Sequence, residues 1–491
     1  MTHLMIMPLI LPGLMAGLIV AFAGKNLALQ RAVTAAVTAA LLVVALLLMA
    51  QAATGPEGYF LGNWPAPFGI VLVLDRLSAT MLVLVAVLAV IVLTYVIGTG
   101  WDRRGRHFHA LFLFQLMGLN GAFLTGDAFN LFVFFELLLI ASYGLMIHGG
   151  GAERLRAGVQ YVAFNLLGST LFLFALGLIY AVTGTLNMAD LAGRVAALPQ
   201  GDAALMRVAA VLLMMVFAVK GALVPLQFWL PGTYANAPGP VAALFAVMTK
   251  VGAYAVIRFG TLVFPPDTAA TGSLIADLLW PAALVTLAVG ALGVLASRSL
   301  PRQVAFAAIG SMGTLFLAVS AFTPQATAAA LYYLLHSTLA TAALFLLADL
   351  VAGRRHGAAA QSGLIAALYM ASAVAMAGMP PLSGFVGKLL VLDALRDQAL
   401  IAWGAILIAS LVTIIGFARS GSDLFWKPQA GGTEMPPPRD AGGILAVGLC
   451  LLCLAALTLF AAAVTDWLAA TASDLHAPAA YIAVTDLQKG P

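Results

Sequence analysis

Five ionisable side chains lie inside long apolar runs of this sequence, where a charge is costly. They are Glu136 in FNLFVFFELLLIASYG, Lys220 in VFAVKGALVP, Lys250 in FAVMTKVGAY, His336 in YYLLHSTLAT and Lys388 in GFVGKLLVL. An isolated charge in an apolar medium must find a partner, reach water or lose its charge. A lysine that can release its proton near neutral pH can pass that proton on. These residue types therefore predict a buried proton path.

A structural explanation is open for each lysine taken alone. A buried lysine can pair with a carboxylate and do no more than fix the packing of two helices. Glu136 is the only acidic residue deep inside one of these runs, however, and three lysines share it. At least two of them must lie near water, another subunit or another partner, or must spend time uncharged. Ionisable residues within membrane segments commonly mark ion or proton pathways.

The composition of the chain predicts that these runs cross a membrane. The sequence is 63% hydrophobic and 9% charged, with a mean hydropathy of +1.05, whereas soluble domains have about 25% charged residues. A bilayer core requires roughly 20 apolar residues per helix, and the chain supplies about fourteen such runs. The predicted crossings are 4–23, 27–50, 77–98, 108–124, 127–148, 157–182, 206–230, 239–263, 274–296, 302–322, 327–351, 364–393, 399–418 and 441–465.

Basic residues in the connecting loops predict the orientation of the chain, because Lys and Arg collect on the cytoplasmic side. Loops after odd-numbered crossings hold Lys25, Arg31, Arg103, Arg104, Arg106, Arg154, Arg156, Arg298, Arg302, Arg354, Arg355, Arg419, Lys427 and Arg439. The opposite loops hold only Arg76, Arg194, Arg207, Arg258 and Arg396. This asymmetry and the even number of crossings predict that both termini lie on the non-cytoplasmic side of a cell membrane.

Prolines predict a break in two of the helices that carry a lysine. Pro225 follows Lys220 in VKGALVPLQFWLP, and Pro380 and Pro381 precede Lys388 in AGMPPLSGFVGK. Interrupted membrane helices often form transport sites, because side chains or water satisfy the freed backbone groups. An ordinary proline kink is the alternative at either position. Two broken helices with one lysine each also suggest an internal repeat.

Four longer stretches carry a resemblance to a known family. They are TGDAFNLFVFFELLLIASYGLMIHGG, VFAVKGALVPLQFWLPGTYANAPGPVAALFAVMTKVGAYAVIRF, LLHSTLATAALFLLAD and AMAGMPPLSGFVGKLLVL. Together they resemble the antiporter-like membrane subunits shared by Mrp cation/proton antiporters and respiratory complex I. Within that family, the first stretch is most similar to the D type of the multisubunit Mrp Na+/H+ antiporters. The resemblance covers roughly residues 70 to 420, and the length of the chain resembles that of the shorter D, M and N types.

The resemblance implies an all-α integral membrane protein with about fourteen transmembrane helices, two inverted five-helix repeats and interrupted helices 7 and 12. The implied division has N-terminal helices 1–3 in residues 1–106, a first repeat in 107–265 and a second in 266–420. Residues 421–491 then hold a cytoplasmic linker, helix 14 and a C-terminal tail.

The resemblance also implies a role for each buried ionisable residue. Glu136 would be the partner of Lys220, Lys250 the central relay, His336 the bridge between the halves, and Lys388 the terminal lysine. The long A and L types carry a lysine shortly after the histidine, whereas this chain has Leu339, Ala340 and Thr341. A path across that gap would depend on His336, Ser337, Thr341 and water.

Two functions are consistent with these residues. The first is a proton-translocating subunit of a multisubunit Na+ or K+/proton antiporter, which is a secondary transporter and not an enzyme. The alternative is the proton-pumping membrane subunit of a complex I-like NADH dehydrogenase or membrane-bound hydrogenase. Both would require partner subunits. The chain has no P-loop or dinucleotide fingerprint, and its only cysteines, Cys450 and Cys453, are expected to be packing residues, so no cofactor is predicted. The identity and site of the cation are left open.

Overall fold

Apolar segments that have no water for their backbone groups must satisfy them internally, and in this chain they do so as helices. The computed structural model describes residues 2–199, 201, 203–354, 363–426 and 441–485. The first ten helices are α1 Met7–Phe22, α2 Leu27–Ala52, α3 Arg76–Thr99, α4 Phe108–Leu124, α5 Ala128–Met146, α6 Ala152–Thr183, α7 Met188–Ala196, α8 Ala204–Gly221, α9 Trp229–Asn236 and α10 Gly239–Phe245. The others are α11 Met248–Leu262, α12 Leu274–Ala296, α13 Leu300–Val319, α14 Pro324–Arg354, α15 Gly363–Ala377, α16 Ser383–Ala394, α17 Ala399–Phe425, α18 Ala441–Leu459, α19 Ala461–His476 and α20 Ala479–Val484.

Twelve helical segments among the described residues are long and apolar enough to cross a membrane. Two shorter apolar helices, α4 and α15, also coincide with predicted crossings. The most buried segments are α10–α11, α13 and α14, which form the centre of the bundle. In contrast, α1, α2, α17 and α18 expose many large apolar side chains on the outside, as expected for lipid-facing helices. The all-helical membrane architecture predicted from the sequence is confirmed.

The two helix breaks predicted from prolines are present. The segment predicted at 206–230 divides into α8, which ends at Gly221, and α9, which begins at Trp229. The segment predicted at 364–393 divides into α15, which ends at Ala377, and α16, which begins at Ser383. Proline has no backbone N–H and cannot continue a helical hydrogen-bond ladder, so each break falls at its prolines.

Several elements were not predicted from the sequence, among them α7, which lies between the predicted crossings 157–182 and 206–230. Strands β1 (Glu57–Phe60) and β2 (Val71–Leu74) pair antiparallel in the loop before α3, with Tyr59 opposite Leu72. The last predicted crossing, 441–465, is divided between α18 and the start of α19, and the rest of α19 and all of α20 lie beyond it. Residues 427–440 of the predicted linker lie outside the described residues, as do three of the basic residues counted above, Arg355, Lys427 and Arg439.

Two carboxylate–arginine contacts join the ends of the helices. Asp102, between α3 and α4, accepts hydrogen bonds from the Arg31 guanidinium at 2.6 and 2.7 Å and contacts His109 Nε2 at 3.2 Å. Asp75, at the start of α3, accepts from both terminal nitrogens of Arg258 at 2.6 and 2.9 Å. Arg258 is buried within α11, so its assignment to a loop in the charge comparison was wrong. Its paired carboxylate lies far away in the sequence, which is why the pairing could not be inferred from local pattern.

Candidate functional site

Lys220 lies in the last turn of α8, directly before the first helix break, and is buried. Its Nζ donates a hydrogen bond of 2.6 Å to Oδ1 of Asn165 on α6. The Asn165 Nδ2 donates in turn to the backbone carbonyl of Tyr161 at 2.7 Å. A cation at a helix C-terminus is favoured by the helix dipole, so both the position and the amide acceptor stabilise the ammonium.

Glu136 is partly buried on α5, and its Oε1 has no hydrogen-bond partner within the described part of the chain. The Lys220 Nζ lies 5.8 Å from the ring centroid of Phe135, the residue that precedes Glu136 on α5. The Lys220 ammonium makes its hydrogen bond to Asn165 and not to this carboxylate. The partnership of Glu136 with Lys220 stays a prediction, and the structure adds Asn165 as a second group within reach of the same lysine.

Lys250 is the most deeply buried of the three lysines, with a relative exposure of 1%. Its Nζ contacts the hydroxyl oxygen of Thr249 at 3.5 Å and the sulfur of Met312 on α13 at 3.3 Å. Neither contact is with a carboxylate. A hydroxyl at that distance and a thioether are weak partners for a desolvated ammonium, so the charged form of Lys250 is poorly compensated by the surrounding side chains.

Close backbone packing sets the positions of Lys220 and Lys250 relative to each other. A Cβ built on Gly252 of α11 would lie 2.6 Å from the Gly221 nitrogen and 2.6 Å from the Phe217 carbonyl oxygen of α8. Contacts that short are not tolerated, so glycine is required where α11 passes the lysine-bearing turn of α8. The two lysines are therefore held by rigidly packed helices and not by loops.

His336 is buried in the middle of α14 and lies against the second helix break. Its Nδ1 is 3.0 Å from the hydroxyl oxygen of Ser383, the first residue of α16. A Cβ on Gly384 would be 2.8 Å from the imidazole Nε2, so the break packs directly on the ring. His336 thus contacts the start of α16, the helix that carries Lys388. Its position between the central and terminal lysines stays a prediction.

Lys388 projects from α16 toward the end of α15. Its Nζ donates to the Ala377 carbonyl at 2.7 Å and to the Ser410 hydroxyl on α17 at 2.7 Å. The carbonyl is one that the helix break frees from the backbone ladder, and helix C-terminal carbonyls favour cations. Lys388 also lines a cavity of about 20 Å³, which has room for roughly one water molecule.

That cavity lies between α12, α13, α14, α16 and α17. Ser311, Thr314 and Tyr333 form its wall on the side of α13 and α14, opposite Lys388 and Ser410. Met312, which contacts Lys250, lies next to Ser311 on α13. A water molecule here could hydrogen-bond to Lys388 and to hydroxyls on α13, so α13 separates the surroundings of the central lysine from those of the terminal one.

The two helix breaks have the same backbone geometry. At the end of α8, Leu223 N donates to Ala218 O and Ala222 N donates to Val219 O. At the end of α15, Met379 N donates to Val374 O and Gly378 N donates to Ala375 O. Ala222 and Gly378 have left-handed φ values of +54° and +75°. Both ends are Schellman motifs, which end a helix and provide donors for two of its last carbonyls. At the second break the Ala377 carbonyl, which is not one of those two, accepts from Lys388.

The region after His336 contains hydroxyls in place of a further lysine. Ser337 Oγ donates to the Leu334 carbonyl at 3.3 Å, whereas the buried Thr341 Oγ1 has no hydrogen-bond partner among the described residues. A buried hydroxyl without a partner is costly unless water satisfies it. Thr341 is thus a position where a water molecule fits the chemistry of the predicted gap.

The sequence does not indicate which groups contact the ionisable residues. Asn165, Ser383 and Ser410 are single uncharged polar residues in apolar runs, a pattern that many packing positions share. Their roles depend on contacts between helices distant in the sequence. Within the residues that the structure describes, no group of three or more His, Cys, Asp or Glu residues could hold a metal ion.

The chain is similar to antiporter subunits of one family. A family model described as NADH:quinone oxidoreductase/Mrp antiporter, TM matches residues 125–416. A relative from Rhizobium meliloti (strain 1021), the D subunit of a probable K(+)/H(+) antiporter, is 39% identical, with 97% of this chain and 96% of the relative covered. The D subunit of the Na(+)/H(+) antiporter of Bacillus subtilis (strain 168) is 37% identical, with 91% of each chain covered.

A solved structure is similar over nearly the whole chain. A chain in the structure of the Mrp complex from Dietzia sp. DQ12-45-1b superposes with a TM-score of 0.88 at 27% sequence identity. The superposition covers 99% of this chain and 100% of the other. The similarity thus includes the helices outside the matched family model, among them α1 to α3 and α18 to α20.

Proposed function

The chain belongs to the family of D-type Mrp antiporter subunits, and from that premise we propose that it moves protons along its buried ionisable residues in exchange for Na+ or K+. As a member of an antiporter complex it is a transporter, not an enzyme. The observation that carries the mechanism is Lys250, a fully buried lysine whose hydrogen-bond contacts in the described structure are a threonine hydroxyl and a methionine sulfur. A permanent charge there would be strongly unfavourable, whereas a transient charge is what a proton relay needs.

The proton path begins at Glu136 and Lys220. While the ionised Glu136 lies beside Lys220, the ammonium form of the lysine is favoured. When the carboxylate is neutralised or separated from the lysine, desolvation dominates and Lys220 releases its proton toward Lys250. From Lys250 the proton passes through His336 to Lys388, with water bridging the helices.

We propose for this chain the transmembrane arrangement that its sequence predicts. We infer about fourteen crossings, with α8–α9 and α15–α16 each serving as one interrupted crossing. The N-terminal helices then occupy residues 1–106, two inverted five-helix repeats occupy 107–265 and 266–420, and 421–491 hold the linker, the last crossing and the tail. The matching Schellman motifs at the two breaks support the repeat. Both termini lie on the non-cytoplasmic side of the cell membrane, in accordance with the loop charges.

The partners are the other subunits of an Mrp-type complex. One relative is named for K+ and another for Na+, so the exchanged cation is one of these two. No cofactor takes part in the proposed mechanism. The names of both relatives favour a cation/proton antiporter over the complex I-like alternative, although the family model includes both classes.

Two substitutions test the proposed function. In everted membrane vesicles that contain the whole complex, Lys220→Ala and Glu136→Ala are expected to abolish the collapse of a pH gradient on addition of Na+ or K+. Both lose the pair that controls the first proton release. Lys25→Ala, which removes an exposed lysine, is the matched control and is expected to retain exchange. Assembly is checked by co-purification of the other subunits through a tag on this chain. Full exchange by both assembled variants would refute the assignment.

A further inference from the structure

The contact between Lys220 and Asn165 has a direction that chemistry fixes. A lysine ammonium has only donors, so the atom that faces it at 2.6 Å must be the amide oxygen of Asn165. The amide nitrogen then points the other way and donates to the Tyr161 carbonyl. Asn165 is itself buried, with 2% relative exposure, so no bulk water competes for its oxygen. The side chain is oriented as an acceptor for Lys220.

A second set of contacts fixes the acceptor relative to α5, the helix that carries Glu136. The Tyr161 hydroxyl lies 2.9 Å from Ser142 Oγ on α5, and Ser142 donates its own proton to the Leu139 carbonyl. Tyr161 is therefore the donor to Ser142. The ring of Tyr161 also stacks on Trp229 at a centroid separation of 5.6 Å, which ties the same turn of α6 to α9. Asn165 thus has a defined position between α5, α8 and the first helix break.

Glu136 is the other half of the arrangement. Its Oε1 is buried without a hydrogen-bond partner among the described residues, and the neighbouring Phe135 ring on the same helix lies 5.8 Å from Lys220 Nζ. An unsatisfied buried carboxylate oxygen is unfavourable and can receive a donor. The lysine side chain is a flexible four-carbon stem, so its ammonium can exchange one acceptor for the other without movement of the backbone.

We propose that Asn165 is a positioning residue that holds the protonated Lys220 when it is separated from Glu136, so that the lysine alternates between a charged acceptor on α5 and a neutral acceptor on α6. This inference rests on the proposed function. A carboxylate binds an ammonium more strongly than an amide does. Movement from Glu136 to Asn165 therefore weakens the hold on the proton while the ammonium keeps one hydrogen bond. Asn165 therefore stabilises the conformation in which the Lys220 ammonium has left Glu136, but it does not prevent Lys220 from releasing its proton.

The other polar groups near Lys220 are hydrogen-bonded to different partners. Glu136 is the acidic residue on α5 next to Phe135, whose ring lies 5.8 Å from Lys220 Nζ. Tyr161 on α6 directs its hydroxyl to Ser142, and Lys250 on α11 contacts Thr249 and Met312. Thr286 on α12 donates to the Ala282 carbonyl and accepts from Val224 N in the break. Asn165 is consequently the hydrogen-bond acceptor that the structure gives to the separated lysine.

Three variants of Asn165 test the proposal through the pH dependence of exchange in vesicles that contain the whole complex. Asn165→Leu removes the acceptor, so the proton leaves the separated lysine more readily and the pH of half-maximal exchange moves down. Asn165→Asp supplies a second carboxylate, so the proton is held and that pH moves up. The Leu and Asp variants are each expected to lower the maximal rate of exchange about tenfold, which corresponds to the loss or distortion of one hydrogen bond to a charged group. Asn165→Gln keeps an amide oxygen and is expected to retain the wild-type pH profile.

Asn120→Asp is the matched control. Asn120 is a buried asparagine on α4 whose amide nitrogen donates to the Pro8 carbonyl of α1 at 3.1 Å, so it belongs to the packing of α1 against α4. Its substitution also places a carboxyl group in the bundle, and we expect it to leave the pH profile unchanged. Co-purification of the other subunits is measured for each variant. If Asn165→Leu fails to assemble, the Asp and Gln variants, which keep a polar side chain, are compared instead. An upward pH shift for Asp beside a wild-type profile for Gln then supports the proposal, and an unshifted or downward-shifted profile for Asp overturns it.

The outcomes separate this inference from the proposed function. Opposite shifts in pH for the Leu and Asp variants would support it, because a purely structural role gives no reason for opposite signs. Unshifted profiles, or shifts in the same direction, would overturn it if Lys220→Ala still abolishes exchange. Retention of exchange by Lys220→Ala would instead overturn the proposed function.

Discussion

Two kinds of buried charged residue differ in their partners. Asp75 and Asp102 are paired with arginines at the ends of helices. Lys220 and Lys250 lie deep in the bundle, and their hydrogen-bond contacts in the described structure are with neutral groups. Paired charges are suited to fixing structure, whereas buried lysines with neutral contacts are suited to losing and regaining a proton. The sequence predicted the second group because a lysine in an apolar run is conspicuous.

The Asp102 cluster gives a stability prediction. Burial tends to raise the pKa of Asp102, but hydrogen bonds from Arg31 and His109 outweigh it and lower the pKa to about 2. Its contribution to stability is therefore present above its usual pKa and is lost only as the pH falls through about 2, so the pH dependence of exchange near neutrality arises elsewhere. Arg31→Ala leaves the buried Asp102 carboxylate with His109 as its remaining side-chain partner. It is expected to lower the free energy of unfolding by about 2 kcal/mol, a modest value because Arg31 is partly exposed.

This prediction is measured as the melting temperature of the purified complex in mild detergent at neutral pH. Arg103→Ala is the control, because Arg103 is exposed and follows Asp102 in the short 3-10 helix Trp101–Arg104, and its effect should stay within about 0.5 kcal/mol. Equal melting temperatures for Arg31→Ala and the wild type would show that the cluster contributes nothing to stability.

The breaks in α8–α9 and α15–α16 are the decisive features at the scale of elements. Their existence could be predicted, since proline chemistry is local and independent of the rest of the fold. Their partners could not, because Thr286 and His336 reach the breaks from other helices. The β1–β2 pair was missed since each strand has only four residues. Helix α19 was missed because its short polar-apolar sequence buries only one face, with Leu468, Ala472 and Leu475 inward.

Gly384 provides a prediction about the second break. A Cβ at this position would lie 2.3 Å from the Ala375 carbonyl oxygen and 2.8 Å from the His336 ring, so Gly384→Ala must push α16 away from the imidazole. We expect at least about a tenfold loss of exchange, because proton transfer depends strongly on the spacing of its groups. Gly404→Ala on α17, where a Cβ meets open space, is the control and should behave like the wild type. Normal exchange by an assembled Gly384→Ala complex would show that this spacing does not matter.

At the scale of the whole molecule, the ionisable residues lie on the elements that pack most tightly. Lys250 is on α11 and His336 is on α14, both in the central, most buried part of the described bundle. The breaks with Lys220 and Lys388 lie on either side of this centre in the chain order. Membrane class and helix positions could be predicted from composition and run length. The way in which α13 separates the surroundings of Lys250 from those of Lys388 depends on packing between distant segments and could not be predicted.

A proton path through the buried lysines is tested most simply by cation-dependent proton flux in vesicles that contain the whole complex with Lys250→Ala. Because Lys250 has no carboxylate partner among the described residues, its removal leaves no unpaired charge there, and a loss of function cannot be attributed to a broken ion pair. We expect the variant complex to assemble normally and to lose at least about 99% of cation/proton exchange, because an obligatory proton relay has been removed. Exchange at the wild-type rate by the assembled Lys250→Ala complex would contradict a proton path through the buried lysines.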